Sequence, residues 1–419
     1  MKLFVFGLAL FSFFSLAQAA SLIQDNDTLA ICGDSITAQH EYSAMLGDYL
    51  IMSAPPVRNL GVVQRGRILE KACDFVGRID SDIMPFKPTI VTSCFGMNDG
   101  GYGPLTDDIA NAYRKAQTDT VEKLKQNGIT RILLASPKCV DPATYNRPGA
   151  DAATYNKTLA ALADIDKDVA AKEGVIYVDV FGTYTDVMNK AKAARGANYA
   201  VAGPDGVHPG PDGHLIIAYA FLKALGYDGA IATVTVDMNA GQADATPGTR
   251  VVSFDKSTGT VNIECTRYPF CFSGVPTDTN GNDAGILPFL PFNQDLNRYM
   301  LVVKGITGKA KVSWGGYPAQ EFSGDDLAKG VNLAAYFWDN PFHGPFFYAD
   351  HAVLVQQAYQ ERLVQDFLVV KRDYQQVLPP GYTGLDQFAT LGLTLNNDLN
   401  KASQAAVKPI DTVIRIERE

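Results

Sequence analysis

At 419 residues the chain is longer than one ordinary hydrophobic core organises, which predicts two domains or one large domain with an elaborate appendage. Its 47% hydrophobic and 19% charged residues are a globular composition. A formal net charge of −9 and the lack of any Lys/Arg run argue against nucleic acid or an anionic surface as partner, and disfavour polyanionic substrates.

In chain order, Lys2 precedes an apolar run that closes on the small-residue pattern Ala17, Gln18, Ala19. Residues 1–19 therefore read as a cleaved secretory signal, placing the mature protein in a periplasm or outside the cell; no later segment is apolar enough to span a bilayer. Short apolar runs then alternate with helical stretches, the pattern of a parallel sheet covered on both faces. The predicted strands are Leu29 to Cys32, Val57 to Leu60, Thr89 to Phe95, Arg131 to Ala135 and Val175 to Val178. Helices are predicted over Asp107 to Asn127, stopped by Gly128, over Ala152 to Glu173, stopped by Gly174, and over about Asp212 to Leu225.

After about residue 230 the texture changes to alternating segments, Ala232 to Met238, Thr260 to Cys265 and Tyr299 to Val303, separated by turn residues. Helical periodicity returns from Asp326 and is clear in Ala352 to Tyr374. The expected organisation is a signal over 1–19, an α/β domain over 20–230, and a β-rich, partly helical region over 231–419. Cys265 and Cys271 flank a turn and are expected to form a disulfide, whereas Cys32 and Cys94 read as buried thiols. The aromatic stretch 336–348 reads as core packing first and as a ring-stacking surface second. Loop 277–285 is dense in oxygen ligands, but it lacks the glycine and terminal glutamate of an EF-hand loop and reads as turns. No His/Cys cluster has metal spacing, so neither metal nor other cofactor is expected.

The first strand runs into Gly33, Asp34, Ser35, placing a serine at a carboxyl strand end, where open α/β sheets bind ligands. A serine hydroxyl needs a base, and the loop 203–214, GPDGVHPGPDGH, offers His208 with Asp205 three residues before it. His214 is the rival base, ranked lower because it falls within the predicted helix. The third strand ends at Gly96, Met97, Asn98, and an asparagine amide there can donate to a tetrahedral oxyanion. The second strand leads to Gly61 and Gly66, where the absence of a side chain lets a backbone N–H approach the same oxygen; the two glycines are alternatives.

GDSIT at 33–37, NLGVVQRG at 59–66, GMND at 96–99 and DGVH at 205–208 resemble, in order, the four signature blocks of the SGNH (GDSL-type) hydrolases. The resemblance spans roughly residues 27–226. It implies a three-layer, flavodoxin-like α/β hydrolase domain with Ser35 as nucleophile, His208 as base, Asp205 as its orienting partner, and an oxyanion hole of Ser35, Gly66 and Asn98. Ile36 replaces the usual leucine of the first block, and the interval from Asn59 to Gly66 is longer than usual. The stretches 96–102 and 328–334 are similar to exported bacterial members with an extra C-terminal β-rich region. The implied activity is hydrolysis of a carboxylic ester through an acyl-serine. An O-acetylated carbohydrate is the first expectation for substrate, and a short-chain lipid or aryl ester the second. The rival of another class is a non-catalytic glycan-binding protein on the same fold.

Overall fold

A computed structural model describes residues 21–279 and 281–418; the expected signal segment lies outside them. Thr28–Gly33 (β1), Gly61–Gly66 (β2), Ile90–Cys94 (β3), Arg131–Ala135 (β4) and Ile176–Val178 (β5) form one parallel sheet in the order β2-β1-β3-β4-β5. This is the flavodoxin-like order, with a switch point at β1. Alternation along the strands sorts their side chains into two cores. Leu29, Ile31 and Leu133 face one apolar cluster with Tyr42, Leu46, Leu215 and Phe221, whereas Ala30, Cys32, Ile132 and Leu134 face another with Phe75, Tyr113 and Leu162.

Seven helices belong to this region: Ser35–Ala38 (α1), Glu41–Asp48 (α2), Ala72–Arg78 (α3), Asp107–Gln126 (α4), Ala152–Glu173 (α5), Val180–Arg195 (α6) and Pro211–Ala224 (α7). The side chains of α2, α6 and α7 fill the first core and those of α3 and α4 the second, while α5 contributes Tyr155 and Leu159 to the first and Leu162, Ile165 and Val169 to the second. The arrangement is therefore three layers.

The second strand departs from expectation. Val57 to Leu60 is not a strand: Asn59 takes a left-handed φ of 54°, and the strand is the following segment, Gly61–Gly66. Its alternation is obscured because Gln64 and Arg65 are polar yet almost fully buried. Gln64 Nε2 donates to Thr37 O at 2.6 Å and Arg65 Nη1 to Gln360 O at 3.4 Å, and distant carboxamides meet the strand's backbone groups. The helix His343–Leu363 lies along the free edge of β2, where Gln360 Nε2 donates to Val62 O at 2.8 Å and Gln360 Oε1 accepts from Gln64 N–H at 2.9 Å. From the helix Gly384–Ala406, Gln404 Nε2 donates to Leu60 O at 2.7 Å. Carboxamides thus replace a neighbouring strand on an edge that would otherwise expose its backbone groups.

Beyond residue 229 the chain builds two further sheets. Ala230–Asp237 (β6), Gln242–Ala245 (β7), Arg298–Lys304 (β10) and Val331–Asn332 (β13) make a four-stranded sheet in which β6 and β10 run parallel. Thr249–Asp255 (β8), Thr260–Cys265 (β9), Lys309–Trp314 (β11), Gln320–Ser323 (β12) and Ile410–Arg418 (β14) make a five-stranded antiparallel one. Its central strand is β14, near the end of the sequence. Within the aromatic stretch, Phe337, Phe342 and Phe346 are buried, and Phe342 packs on Trp314 with ring centroids 5.4 Å apart. Tyr336 and Tyr348 are exposed.

The disulfide expected between Cys265 and Cys271 does not form; all six cysteines are free. Cys265 Sγ lies 3.0 Å from the Tyr299 hydroxyl, and Cys271 Sγ lies 3.6 Å from Pro269 O, so each thiol is packed against different neighbours. In loop 277–285 the Asp278 and Asp283 carboxylates accept backbone N–H groups of Val275 and Ser273, which is turn chemistry. No helix among the described residues is long and apolar enough to cross a membrane.

Candidate active site

Ser35 is the first residue of α1, directly beyond the carboxyl end of β1. Asp34 caps that helix, accepting the Ile36 N–H at 2.9 Å, and so fixes the turn that aims the serine. Burial pushes the Asp34 carboxyl up to about 7; the Ile36 N–H and the Lys138 cation oppose this, and the Asp99 and Glu70 charges add to it.

The loop before α7 carries the candidate base. Ser35 Oγ lies 2.8 Å from His208 Nε2, across 173 residues of sequence. The other ring nitrogen, His208 Nδ1, is 2.8 Å from Asp205 Oδ2. Asp205 Oδ1 accepts the N–H groups of Val207 and His208, each at 2.9 Å. Burial would raise the Asp205 carboxyl, but the His208 N–H, the His208 ring and the Val207 N–H outweigh it and hold the group well below the usual carboxylate range. An ionised carboxylate only accepts, so Nδ1 carries the ring proton and Nε2 presents its lone pair to the serine hydroxyl.

Gly206 makes this loop possible. Its φ is 71°, and a Cβ there would come within 2.5 Å of the Tyr145 nitrogen. The loop is braced by the segment after β4: Asp141 N–H donates to Gly206 O at 2.9 Å, and Thr144 Oγ1 donates to Gly203 O at 2.7 Å.

His214, the rival base, sits inside α7, fully buried, with Nε2 3.8 Å from Glu41 Oε2. Burial, helped by the Lys138 and His208 charges, lowers its pKa to about 3, so it stays neutral. It stacks on Tyr42, with ring centroids 6.0 Å apart.

The two candidate glycines stand at opposite ends of β2. Gly61 pairs with Thr28 at the amino end of β1, whereas Gly66 pairs with Gly33, two residues before the serine. Five residues of strand separate them by about 16 Å. Gly66 alone reaches the site, and it packs so closely on α1 that a Cβ would stand 2.3 Å from Ala38 N and 2.6 Å from the Thr37 carbonyl carbon.

Asn98 lies beyond the end of β3, held at both ends of its amide. Tyr102 O–H donates to Asn98 Oδ1 at 3.0 Å, and Asn98 Nδ2 donates to Glu70 O at 3.0 Å, leaving the second Nδ2 proton for another acceptor. Two residues that the motifs did not identify complete the surroundings. Arg147 donates to Asp205 Oδ2 at 2.7 Å, and Tyr102 orients Asn98. Arg147 has no sequence signal, because its contact is made only on folding, whereas Tyr102 closes the stretch 96–102 without a role that the resemblance assigns. Beside His208 opens a groove of about 750 Å³ whose walls include Gln39, Tyr199, Asp212, Thr279 and Gly281.

Residues 31–216 match the model of the GDSL-like lipase/acylhydrolase family. No curated protein matches the sequence. Among solved structures, a gut microbial diltiazem-metabolizing enzyme, BT4096, is similar over 96% of this chain and 100% of its own, with TM-score 0.74 at 20% identity. That likeness is one of fold, and it takes in both the parallel-sheet region and the two C-terminal sheets. LAE5, an α/β hydrolase from the metagenome of Lake Arreo, Spain, is similar over 49% of this chain and 98% of its own, with TM-score 0.40 at 25% identity. Axe2, an acetylxylan esterase from Geobacillus stearothermophilus, is similar over 49% of this chain and 96% of its own, with TM-score 0.40 at 22% identity.

Proposed function

We propose that this protein is an exported serine esterase. The observation that carries the reading is the unbroken relay from Ser35 Oγ to His208 Nε2, and from His208 Nδ1 to Asp205, with both links at 2.8 Å. Ser35 Oγ attacks the ester carbonyl carbon as His208 Nε2 takes its proton. The carbonyl electrons move onto oxygen, and the resulting oxyanion is received by the N–H groups of Ser35 and Gly66 and by Asn98 Nδ2. When the tetrahedral intermediate collapses, the alcohol leaves with the proton from His208, and Ser35 keeps the acyl group. Water then repeats the sequence in reverse roles and releases the acid. No metal or cofactor enters these steps.

For substrate, the first reading is an O-acetyl group on a carbohydrate. In support, the walls of the groove beside His208 combine the Gln39 carboxamide and the Thr279 hydroxyl with the Tyr199 ring, groups that can hydrogen-bond and stack on a sugar. A second reading, a short-chain lipid or aryl ester, is favoured by Ile68 and Leu69, which stand 69% and 75% exposed just after Gly66.

A release assay comparing acetylated glycans with acyl esters of increasing chain length separates the two. Preference for longer chains would remove the carbohydrate reading. Ser35→Ala should abolish hydrolysis and labelling by a serine-directed phosphonate. If wild-type protein binds acetylated glycan without hydrolysing any ester, it is a binding protein on this fold and the enzymatic reading is wrong.

A further inference from the structure

We infer that Arg147 is a positioning residue that joins the proton-relay half of the site to its oxyanion half. The same Asp205 oxygen that receives His208 Nδ1 at 2.8 Å receives Arg147 Nη2 at 2.7 Å. The other Asp205 oxygen is taken by the Val207 and His208 N–H groups. Of these four donors, three come from the carboxylate's own loop. Arg147 comes from a separate segment between β4 and α5, so it anchors the loop against the rest of the domain and brings a fixed charge.

On its other side, the Arg147 guanidinium carbon lies 5.7 Å from the centroid of the Tyr102 ring. The Tyr102 hydroxyl donates to Asn98 Oδ1. The ring itself is backed by Tyr155, with centroids 5.2 Å apart, and Tyr155 is stacked by Tyr145 from the segment that carries Arg147. One side chain therefore supports both the carboxylate that orients the base and the ring that orients the oxyanion amide.

The charge has a separable consequence. A cation sharing Asp205 with His208 disfavours the imidazolium that forms during turnover, so it sets where the acid limb of the pH profile falls. Lys138, Asp34, Cys139, Asp141 and His214, with the Tyr102 and Tyr145 hydroxyls and Asp151, are the other titratable groups coupled to this cluster, and none of them is altered by the substitution of Arg147.

The inference rests on the esterase reading, and the experiment keeps the two apart. Full-length wild type, Arg147→Gln, Arg147→Lys and Tyr102→Phe are assayed with p-nitrophenyl acetate across pH, with melting curves to verify folding. Wild type without hydrolysis would sink the esterase reading itself. Given an active wild type, Arg147→Gln should lose about 10- to 100-fold in kcat while KM changes less than about threefold. Its acid limb in kcat/KM should move up by about half to one pH unit. Arg147→Lys keeps the charge, so its limb should stay while kcat recovers only in part. Tyr102→Phe should lower kcat with the limb unmoved.

If Arg147→Gln retains wild-type kcat, or loses kcat with its acid limb unmoved, the inference is overturned. Should that variant not fold, Arg147→Lys decides: a kcat loss with an unmoved limb supports the assignment, and wild-type kcat overturns it.

Discussion

Gln360 holds the edge of the parallel sheet from 296 residues away, its side-chain oxygen accepting the Gln64 N–H at 2.9 Å while its amide nitrogen reaches Val62 O. Both strand groups are buried, so the carboxamide meets one donor and one acceptor that no water replaces. Gln360→Leu leaves the Gln64 N–H unpaired and Val62 O with only the longer bond from Gln356 Nε2 at 3.3 Å, and should destabilise the protein by roughly 1–3 kcal/mol, read as a lowered denaturation midpoint. A midpoint shift equivalent to less than ~0.5 kcal/mol would show that the edge does not depend on this helix.

Asp205 Oδ2 lies 2.8 Å from His208 Nδ1, where in the proposed mechanism it would orient the base. Asp205→Asn offers an amide that can donate there, which favours the wrong tautomer and leaves Nε2 protonated towards the serine. Turnover should fall by about 10³- to 10⁴-fold with little change in melting temperature. A loss below about tenfold would mean that the carboxylate does not direct the tautomer.

The positions of Gly61 and Gly66 predict opposite outcomes. Gly66→Ala drives a methyl group into the backbone of α1 and should reduce kcat/KM by more than about 100-fold, because it moves the oxyanion donors and the nucleophile together. Gly61→Ala presses only on the Thr28 side chain at the far end of the sheet, within 2.7 Å of its Oγ1. Activity per folded molecule should stay within about threefold, since the effect remains remote from the chemistry. Equal activity losses in the two variants would contradict this division of the strand.

Asp34 makes stability fall as pH rises. Its folded carboxyl titrates near 7 against an ordinary 3.8, first because it is buried, so between those values the folded protein holds a proton that the unfolded chain has released. The loss begins near pH 4 and is complete above pH 7, and is of order ~4 kcal/mol at most. Asn keeps an oxygen to accept the Ile36 N–H and cannot ionise. Asp34→Asn should therefore gain stability relative to wild type from pH 4 to pH 7 and hold a constant advantage above it, measured by denaturant midpoints. A difference independent of pH would rule out this carboxyl as the source.

Much of the site was legible before folding because its parts are local. Gly33 to Thr37 is a strand end, a cap and a helix start within five residues, and Asp205 to His208 is a single turn, so short-range patterns report both. The helices Asp107–Gln126 and Ala152–Glu173 carry their own caps and stops and fall close to the expected bounds. β2 was misread for the opposite reason. Gln64 and Arg65 look like surface residues, and their burial depends on contacts made on folding: Gln64 Nε2 donates to Thr37 O, and Arg65 donates to Gln360 O in the helix His343–Leu363.

Sequence alone determined which residue types were available and in what order along the strands, because periodicity, capping and turn chemistry act between near neighbours. Tertiary structure decided which glycine stands beside Ser35, that Cys265 and Cys271 stay apart, and that Arg147 meets Asp205. Those outcomes depend on strand register and on contacts between segments distant in the chain. They are set by the packing of whole layers, which no local pattern encodes.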